Sequence, residues 1–489
     1  MRLSGGHFRH RTATHNFSAS AKDQEEAVDE SFEELRRREF ARLDAQGHVY
    51  LDYTGAGLYA ESQVRAHAEF LAQGVFGNPH SRNPTSCAAT ELCEGARARV
   101  LRFFNADPDA YEVVFTLNAS GAIKLVGEAY PWEAGGRCLL TADNHNSVNG
   151  LREFAGAHGA LVDYVPLDAG MRFAGLEERL AAADRSRPNL FAFPAQSNFS
   201  GVKHPLETVE MAAAHGWHVL LDAAAFAPTS RLDLSACAPD FVCISFYKMF
   251  GFPTGVGVLL ARRDALGALQ RPWFAGGTVR FVSAQNRLHL RHVTGRGFED
   301  GTLNYLGIAA VEAGLDFLDG IGVERINAHV MRHTAALLEE LRALRHTSGA
   351  PMVRVYGPQG TEGRGGAVAF NLLDPRGELV DFRAVEERAN QAMVSLRTGF
   401  FCNPGAAEFA FEYPDEEAFR CIKTFAPETF DLQRFSDCMS DHAVGGIRVS
   451  VGIATVQADL RRLMEVLATF RDEESRDAGA SLPALATVD

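Results

Sequence analysis

The stretch "ISFYKMFGFPTGVGVLL" (Ile244–Leu260) decides how this chain is read. It is apolar almost throughout, yet Lys248 stands in its middle, between aromatics and ahead of several glycines. An ammonium group in apolar surroundings is costly unless it is paired or neutralised. The "FVCISF" run (241–246) that leads into the lysine and the "GVGVLLA" run (255–261) that follows it both have the length and composition of buried strands.

Similar runs recur upstream. They are "EVVFTL" (112–117), "RCLLTA" (137–142), "ALVDYVPL" (160–167), "NLFAFPA" (189–195) and "HVLLDAAA" (218–225). Helical periods such as "LEERLAAAD" and "PLETVEMAAAHG" lie between several of them. Short apolar strands separated by helices predict an α/β fold with a mostly parallel sheet covered on both faces. Beyond residue 300 the pattern changes to one or two long helices over 300–344, broken near Gly320–Gly322. The runs "MVRVYG", "GAVAFNLL", "AMVSLRTG" and "IRVSVG" then predict a smaller α+β unit, ending in the helix "QADLRRLMEVLATF". The expected division is a disordered tail over 1–24, an N-terminal segment over 25–61 that joins the small domain, a large domain over 62–325, a small domain over 326–472 and a second tail over 473–489. Residues 25–43 read as one charge-rich amphipathic helix.

The chain has 489 residues, 46% of them hydrophobic, and a formal net charge of −14. So acidic a chain is a poor binder of nucleic acid or anionic membranes through a basic surface. No apolar run approaches the roughly 20 residues of a membrane span. The basic first residues resemble a targeting presequence, but no apolar core follows, which favours a frayed tail. Eight cysteines are scattered without a CxxC pair, which argues against a disulfide scaffold or a metal site and for a reducing cytoplasm.

Open α/β sheets bind ligands beyond the C-terminal ends of their strands, so the loops there carry the chemistry. "NASGA", with Asn118, Ala119 and Ser120, leads straight into a helix and suits either a phosphate cradle or an ordinary helix cap. His145 and Asn198 follow two further strands and, taken alone, read as structural residues. Asp222 ends an apolar strand before three alanines, where it is either a helix cap or the partner of something flat. Lys248 follows the next strand. An aspartate, a lysine and a phosphate cradle on separate strand ends are the minimum that pyridoxal 5'-phosphate (PLP) requires. The lysine forms the Schiff base, the carboxylate keeps the pyridine nitrogen protonated, and N–H groups take the phosphate. A Schiff base also removes the costly ammonium.

The stretches "YLDYTGAGLY", "GNPHSRNPTS", "FTLNASGAIKLVGEAYPW", "LFAFPAQSNFSGVKHPLE", "FEDGTLNYL" and "LRTGFFCNPGAAE", with the lysine segment itself, resemble the fold-type I PLP enzymes of aminotransferase class V. Within these the chain is most similar to cysteine desulfurases, and above all to the desulfurase-like domain of molybdenum cofactor sulfurases. The resemblance runs from about residue 49 to 455 and implies a seven-stranded large domain with a small α+β domain. It implies that Lys248 holds the cofactor, Asp222 pairs with the ring nitrogen, His145 stacks on the ring and Asn198 meets the ring oxygen. Asn118, Ala119, Ser120 and Ser245 would hold the phosphate, and Gly276, Gly277 and Thr278 would reach it from a second subunit of a homodimer. Arg448, with Arg397 and Asn78, would bind the substrate. Cys402, five residues after Arg397, would be the nucleophile that takes sulfur from L-cysteine, releases alanine and passes the sulfur to an acceptor such as a molybdenum cofactor.

The chain departs from many desulfurases at Ala225, Tyr247, Phe400 and Phe401, where those have glutamine or histidines. These departures remove bases from around Cys402 but match the cofactor-sulfurase pattern. The scaffold also hosts aminotransferases, C–S lyases and decarboxylases, and a retired enzyme kept as a binding partner is a further alternative. The joint presence of Lys248, Asp222, His145 and Arg448 argues against the last.

Overall fold

The computed structural model describes residues 31–412, 415–429, 434–435, 438–439 and 444–474. β1 (Val49–Tyr50) belongs to the N-terminal segment. β2 (Tyr111–Thr116), β3 (Arg137–Thr141), β4 (Leu161–Val165), β5 (Asn189–Pro194), β6 (His218–Asp222), β7 (Phe241–Ser245) and β8 (Gly257–Arg262) build one sheet in the order β2-β8-β7-β6-β5-β3-β4. Each of the seven apolar runs is one of these strands. β8 is antiparallel to β2 and β7, and the other pairs are parallel.

The central strands look uniformly apolar, yet they alternate between two cores. Phe191, Phe193, Val219, Leu221, Val242 and Ile244 face one, while Leu190, Ala192, Leu220, Phe241 and Cys243 face the other. A sheet buried on both faces requires this. The helix Ala119–Ala129 covers the second face, and the helices Pro84–Phe103 and Tyr305–Ile321 pack together on the first.

β9 (Val279–Ser283) and β10 (Leu288–Arg291) form an antiparallel hairpin that the sequence reading did not foresee. β11 (Val353–Tyr356), β12 (Ala367–Leu372), β14 (Arg397–Gly399) and β15 (Gly446–Ser450) form an antiparallel sheet in the order β11-β12-β15-β14. β13 (Val394–Ser395) pairs in parallel with β1, so the run "AMVSLRTG" is split between two sheets. The two long helices meet at Gly322, whose φ of +91° suits glycine.

Two expectations need correction. The single helix over 25–43 is two, Phe32–Glu39 and Ala41–Ala45. Phe40 leaves helical geometry between them and buries its ring with Leu35, Leu43 and Tyr53. Residues 25–30 lie outside the described residues, as do the tail over 1–24 and, from 475, the tail over 473–489. The cysteines are also not all free, because Cys421 and Cys438 form a disulfide. Neither lies in a motif, and Cys421 is buried in a cluster with Phe435, Met439 and Val444 against which Cys438 packs. No helix among the described residues is long and apolar enough to cross a membrane.

Candidate active site

The lysine segment resolves into a strand, one helical turn and a return strand. Phe246–Phe250 is helical, with Phe246, Met249 and Phe250 buried while Tyr247 and Lys248 face away from the core. Phe250 packs against Gly314 of the helix Tyr305–Ile321. Gly251 (φ +77°) lies so close to the backbone of Leu58 and Tyr59 that a Cβ there would overlap it. The Gly57 N–H donates to the Tyr247 carbonyl (3.0 Å), which ties the N-terminal segment to the lysine turn. A Cβ on Gly257 would sit 2.6 Å from both the Asn118 Cα and the Ile244 carbonyl, so β8 passes against the 118–120 loop only as glycine.

The loop after β2 lies against the ends of β7 and β8. Asn118 caps the helix Ala119–Ala129 by accepting from the Gly121 N–H (2.9 Å). The Ala119 N–H donates to Ser245 Oγ (2.8 Å), and the hydroxyls of Ser120 and Ser147 lie 2.6 Å apart. The N-terminus of this long helix thus collects three hydroxyls, a setting that favours an anion. Ser147 had not been singled out, and its N–H donates to His145 Nδ1 (3.1 Å). Nδ1 is therefore an acceptor, which leaves the proton of the neutral ring on Nε2. Burial lowers the His145 pKa, with Lys248 and Arg448 adding to the effect and Asp222 opposing it.

Asp222 is 8% exposed, and one of its oxygens accepts from the Ala224 N–H (3.0 Å). Removal from water lowers the Lys248 pKa, Asp222 opposes this, and Arg448 and Arg397 reinforce it. A lysine depressed in this way is suited to take and return a proton. The small side chains Ala223–Ala225 leave room beside the carboxylate for a planar group. A buried acid, a depressed lysine, a histidine and three hydroxyls at a helix N-terminus fit the donor set that PLP requires.

The remaining side comes from β14, β15 and the turn after β14. Arg397 and Arg448 are both held by Asp52. Arg397 Nη2 donates to Asp52 Oδ2 (2.7 Å) and Arg448 Nη2 to Oδ1 (2.9 Å). Arg448 is 2% exposed, also donates to the Asn198 carbonyl (2.9 Å), and keeps a buried Nε without a partner. Phe401 and Cys402 both have left-handed φ (+56° and +53°), a conformation that costs on the order of 1–3 kcal/mol per non-glycine residue. Cys402 is exposed, and the Arg448 guanidinium lies 5.0 Å from the ring centre of the preceding Phe401.

Asn198 donates through Nδ2 to the Phe401 carbonyl (2.7 Å), which ties it to the Cys402 turn. Asn78, Gly277 and Thr278 gather elsewhere. Asn78 donates to Thr302 (3.0 Å), and Gly277 lies against His80 and the Gly301 carbonyl. Among the described residues no hydrogen bond joins this group to Lys248, Asp222 or Ser120. Sequence reasoning missed Asp52, Asn403 and Ser147. Asp52 sits in "YLDYTGAGLY" and Asn403 directly follows the cysteine, but neither shows its partner in the sequence.

The molybdenum cofactor sulfurase of Homo sapiens is 35% identical over 474 residues, covering 91% of this chain and 52% of that protein. That of Arabidopsis thaliana is 34% identical over 483 residues, covering 89% and 58%. The chain thus spans a little over half the length of these relatives. Among solved structures, the apo cysteine desulfurase of Thermococcus onnurineus NA1 superposes with a TM-score of 0.71 at 22% identity, covering 89% of this chain and 97% of that one. The cysteine desulfurase CsdA of Escherichia coli gives 0.69 at 20% identity, covering 90% and 98%. These structures show the fold-type I architecture that the sequence led us to expect. The aminotransferase class-V model matches residues 49–463, and the chain belongs to that family.

Proposed function

We propose that this chain is a PLP-dependent cysteine desulfurase that takes sulfur from L-cysteine and passes it to an acceptor, with a molybdenum cofactor as the proposed acceptor. The observation that carries the reading is the exposed Cys402, held on a strained turn beside Lys248 and the Arg397–Arg448 pair. PLP, when bound, supplies an electron sink for the pair released at Cα.

The chain's own residues divide the work. Lys248 and Asp222 would hold the cofactor, His145 would cover it, and Ser120, Ser147 and Ser245 would take its phosphate. Asn198 would offer an amide N–H to the ring oxygen. Arg448 binds the substrate carboxylate, for which a planar guanidinium with an unpartnered Nε is suited. Lys248 takes the Cα proton. The Cys402 thiolate attacks the substrate sulfur, so that an S–S bond forms and the Cβ–S bond breaks. The pair from that bond goes to Cβ, which is protonated, and Lys248 returns its proton to Cα to give alanine.

A homodimer completes the reading. Gly277 and Thr278 lead straight into the β9–β10 hairpin, whose Phe281, Leu288 and Leu290 are exposed. Apolar side chains in such a row favour burial against a second copy. Residence in the cytoplasm is proposed on the four buried unpaired cysteines, with the Cys421–Cys438 disulfide as the observation that runs against it.

The test is direct. Holoenzyme should show yellow absorbance removed by borohydride, and L-cysteine should yield alanine and a Cys402 persulfide by mass spectrometry. Cys402→Ala should keep the absorbance and lose alanine formation at least roughly 100-fold. Normal alanine output from that variant would overturn the nucleophile's role, and pyruvate with free sulfide as products would mark a C–S lyase instead.

A further inference from the structure

Asn403 is completely buried, although it directly follows the exposed Cys402. Its Oδ1 accepts from the Ala406 N–H (3.2 Å) and caps the helix Pro404–Phe411. Its Nδ2 donates in two other directions. One hydrogen goes to the Asp143 carbonyl (2.6 Å), in the loop that carries His145. The other goes to Asn198 Oδ1 (2.8 Å).

Backbone groups fix the orientation of both amides. Ala406 offers only a donor, so it takes the Asn403 oxygen. The Asp143 and Phe401 carbonyls offer only acceptors, so they face the nitrogens of Asn403 and Asn198. Asn198 then spends its oxygen on Asn403 and one hydrogen on the Phe401 carbonyl, which leaves its second hydrogen for the cofactor side. The Asn146 N–H closes the ring by donating to the Cys402 carbonyl (2.7 Å). Two consecutive left-handed residues persist only where the surroundings hold them. Here those surroundings are these hydrogen bonds.

We propose that Asn403 is a positioning residue that locks the Cys402 turn to Asn198 and to the His145 loop, so that the nucleophile is placed by the same amide that faces the cofactor. The inference rests on the reading of Cys402 as the nucleophile. The main effect of Asn403 falls on the sulfur-transfer step, because Lys248 and Asp222 reach their places without it and Asn198 keeps its bond to the Phe401 carbonyl. A helix cap by itself would use only Oδ1, and the two Nδ2 contacts are what the proposal adds.

Asn403→Asp separates these roles. Aspartate caps a helix as well as asparagine does, but it has no hydrogen to give to Asp143 or Asn198. Asn403→Ala removes both functions. The expected result is that both variants load the cofactor and exchange the Cα proton of L-alanine for solvent deuterium within about three-fold of wild type. Alanine production from L-cysteine should fall roughly 100-fold, the size of effect that a small misplacement of a reacting group produces. Alkylation of Cys402 by iodoacetamide in the same preparations should change at least roughly five-fold as the turn is released.

Wild-type turnover and alkylation in Asn403→Asp would overturn the proposal, and so would a parallel fall in Cα exchange, which marks general damage. Should wild-type protein form no alanine from L-cysteine, the functional reading fails. The alkylation comparison then decides the role of Asn403 on its own.

Discussion

Asp52 is one carboxylate serving two guanidiniums, and at the scale of single residues it matters as much as Lys248. Its loss leaves the buried Arg448 with the Asn198 carbonyl and the face of the Phe401 ring, and no carboxylate, to answer its charge. Breaking a buried charge pair from one side costs about 3–5 kcal/mol. Because Asp52 keeps 12% side-chain exposure, the lower end applies. Asp52→Asn should therefore lower stability by about 3 kcal/mol in urea denaturation, and an unchanged midpoint would refute the bridge. Lys248 and Asp222 were legible in the sequence because a charge at the end of an apolar strand demands a chemical reason. Asp52 was not, because Arg397 lies 345 residues away and Arg448 lies 396 away. Asn403 was hidden for the same reason, since its partners Asp143 and Asn198 lie 260 and 205 residues distant.

At the scale of elements, the turn between β7 and β8 explains why the opening stretch carries glycines where it does. Gly251 meets the N-terminal segment at the backbone of Tyr59 and adopts a left-handed φ. Gly251→Ala forces both overlap and strain and should cost at least about 2 kcal/mol. It should also weaken the yellow absorbance, because the turn it moves carries Lys248. A fully loaded, equally stable variant would show that the contact gives way freely. The seven strands of the large sheet were legible because each is a short apolar run with turn residues on both sides. The β9–β10 hairpin was not. Its outward apolar residues Phe281, Leu288 and Leu290 run against the rule that exposed strand faces are polar, so no alternating pattern marks it in the sequence. The disulfide escaped for a different reason, since pairing across 17 residues depends on how two segments pack.

At the scale of the whole molecule, acid should loosen the region where the N-terminal segment meets the long helix Val323–Ala343. His329 is 3% exposed, shares a hydrogen bond with the Thr455 carbonyl (2.9 Å) and stacks on Phe32 (3.9 Å). Burial, with His333 and Arg332 nearby, lowers its pKa to about 3. The folded state keeps this ring neutral, while the unfolded chain protonates it below its ordinary value of about 6.5. Stability from this site is therefore full above about pH 6.5 and declines as pH falls towards 3. Urea midpoints at pH 7.5, 6 and 5 should fall in that order, and His329→Gln should flatten the trend. An equally steep slope in that variant would assign the acid sensitivity to other groups. The order of synthesis adds a consequence of the long-range closure by Asp52. The large sheet can be complete once residue 262 has left the ribosome, but Arg448 emerges about 200 residues after Lys248. At typical translation rates that gap lasts on the order of 10–40 s. The growing chain thus completes the strand ends that carry Asp222 and Lys248 well before Arg397 and Arg448 exist to pair with Asp52, so that carboxylate waits for both of its partners.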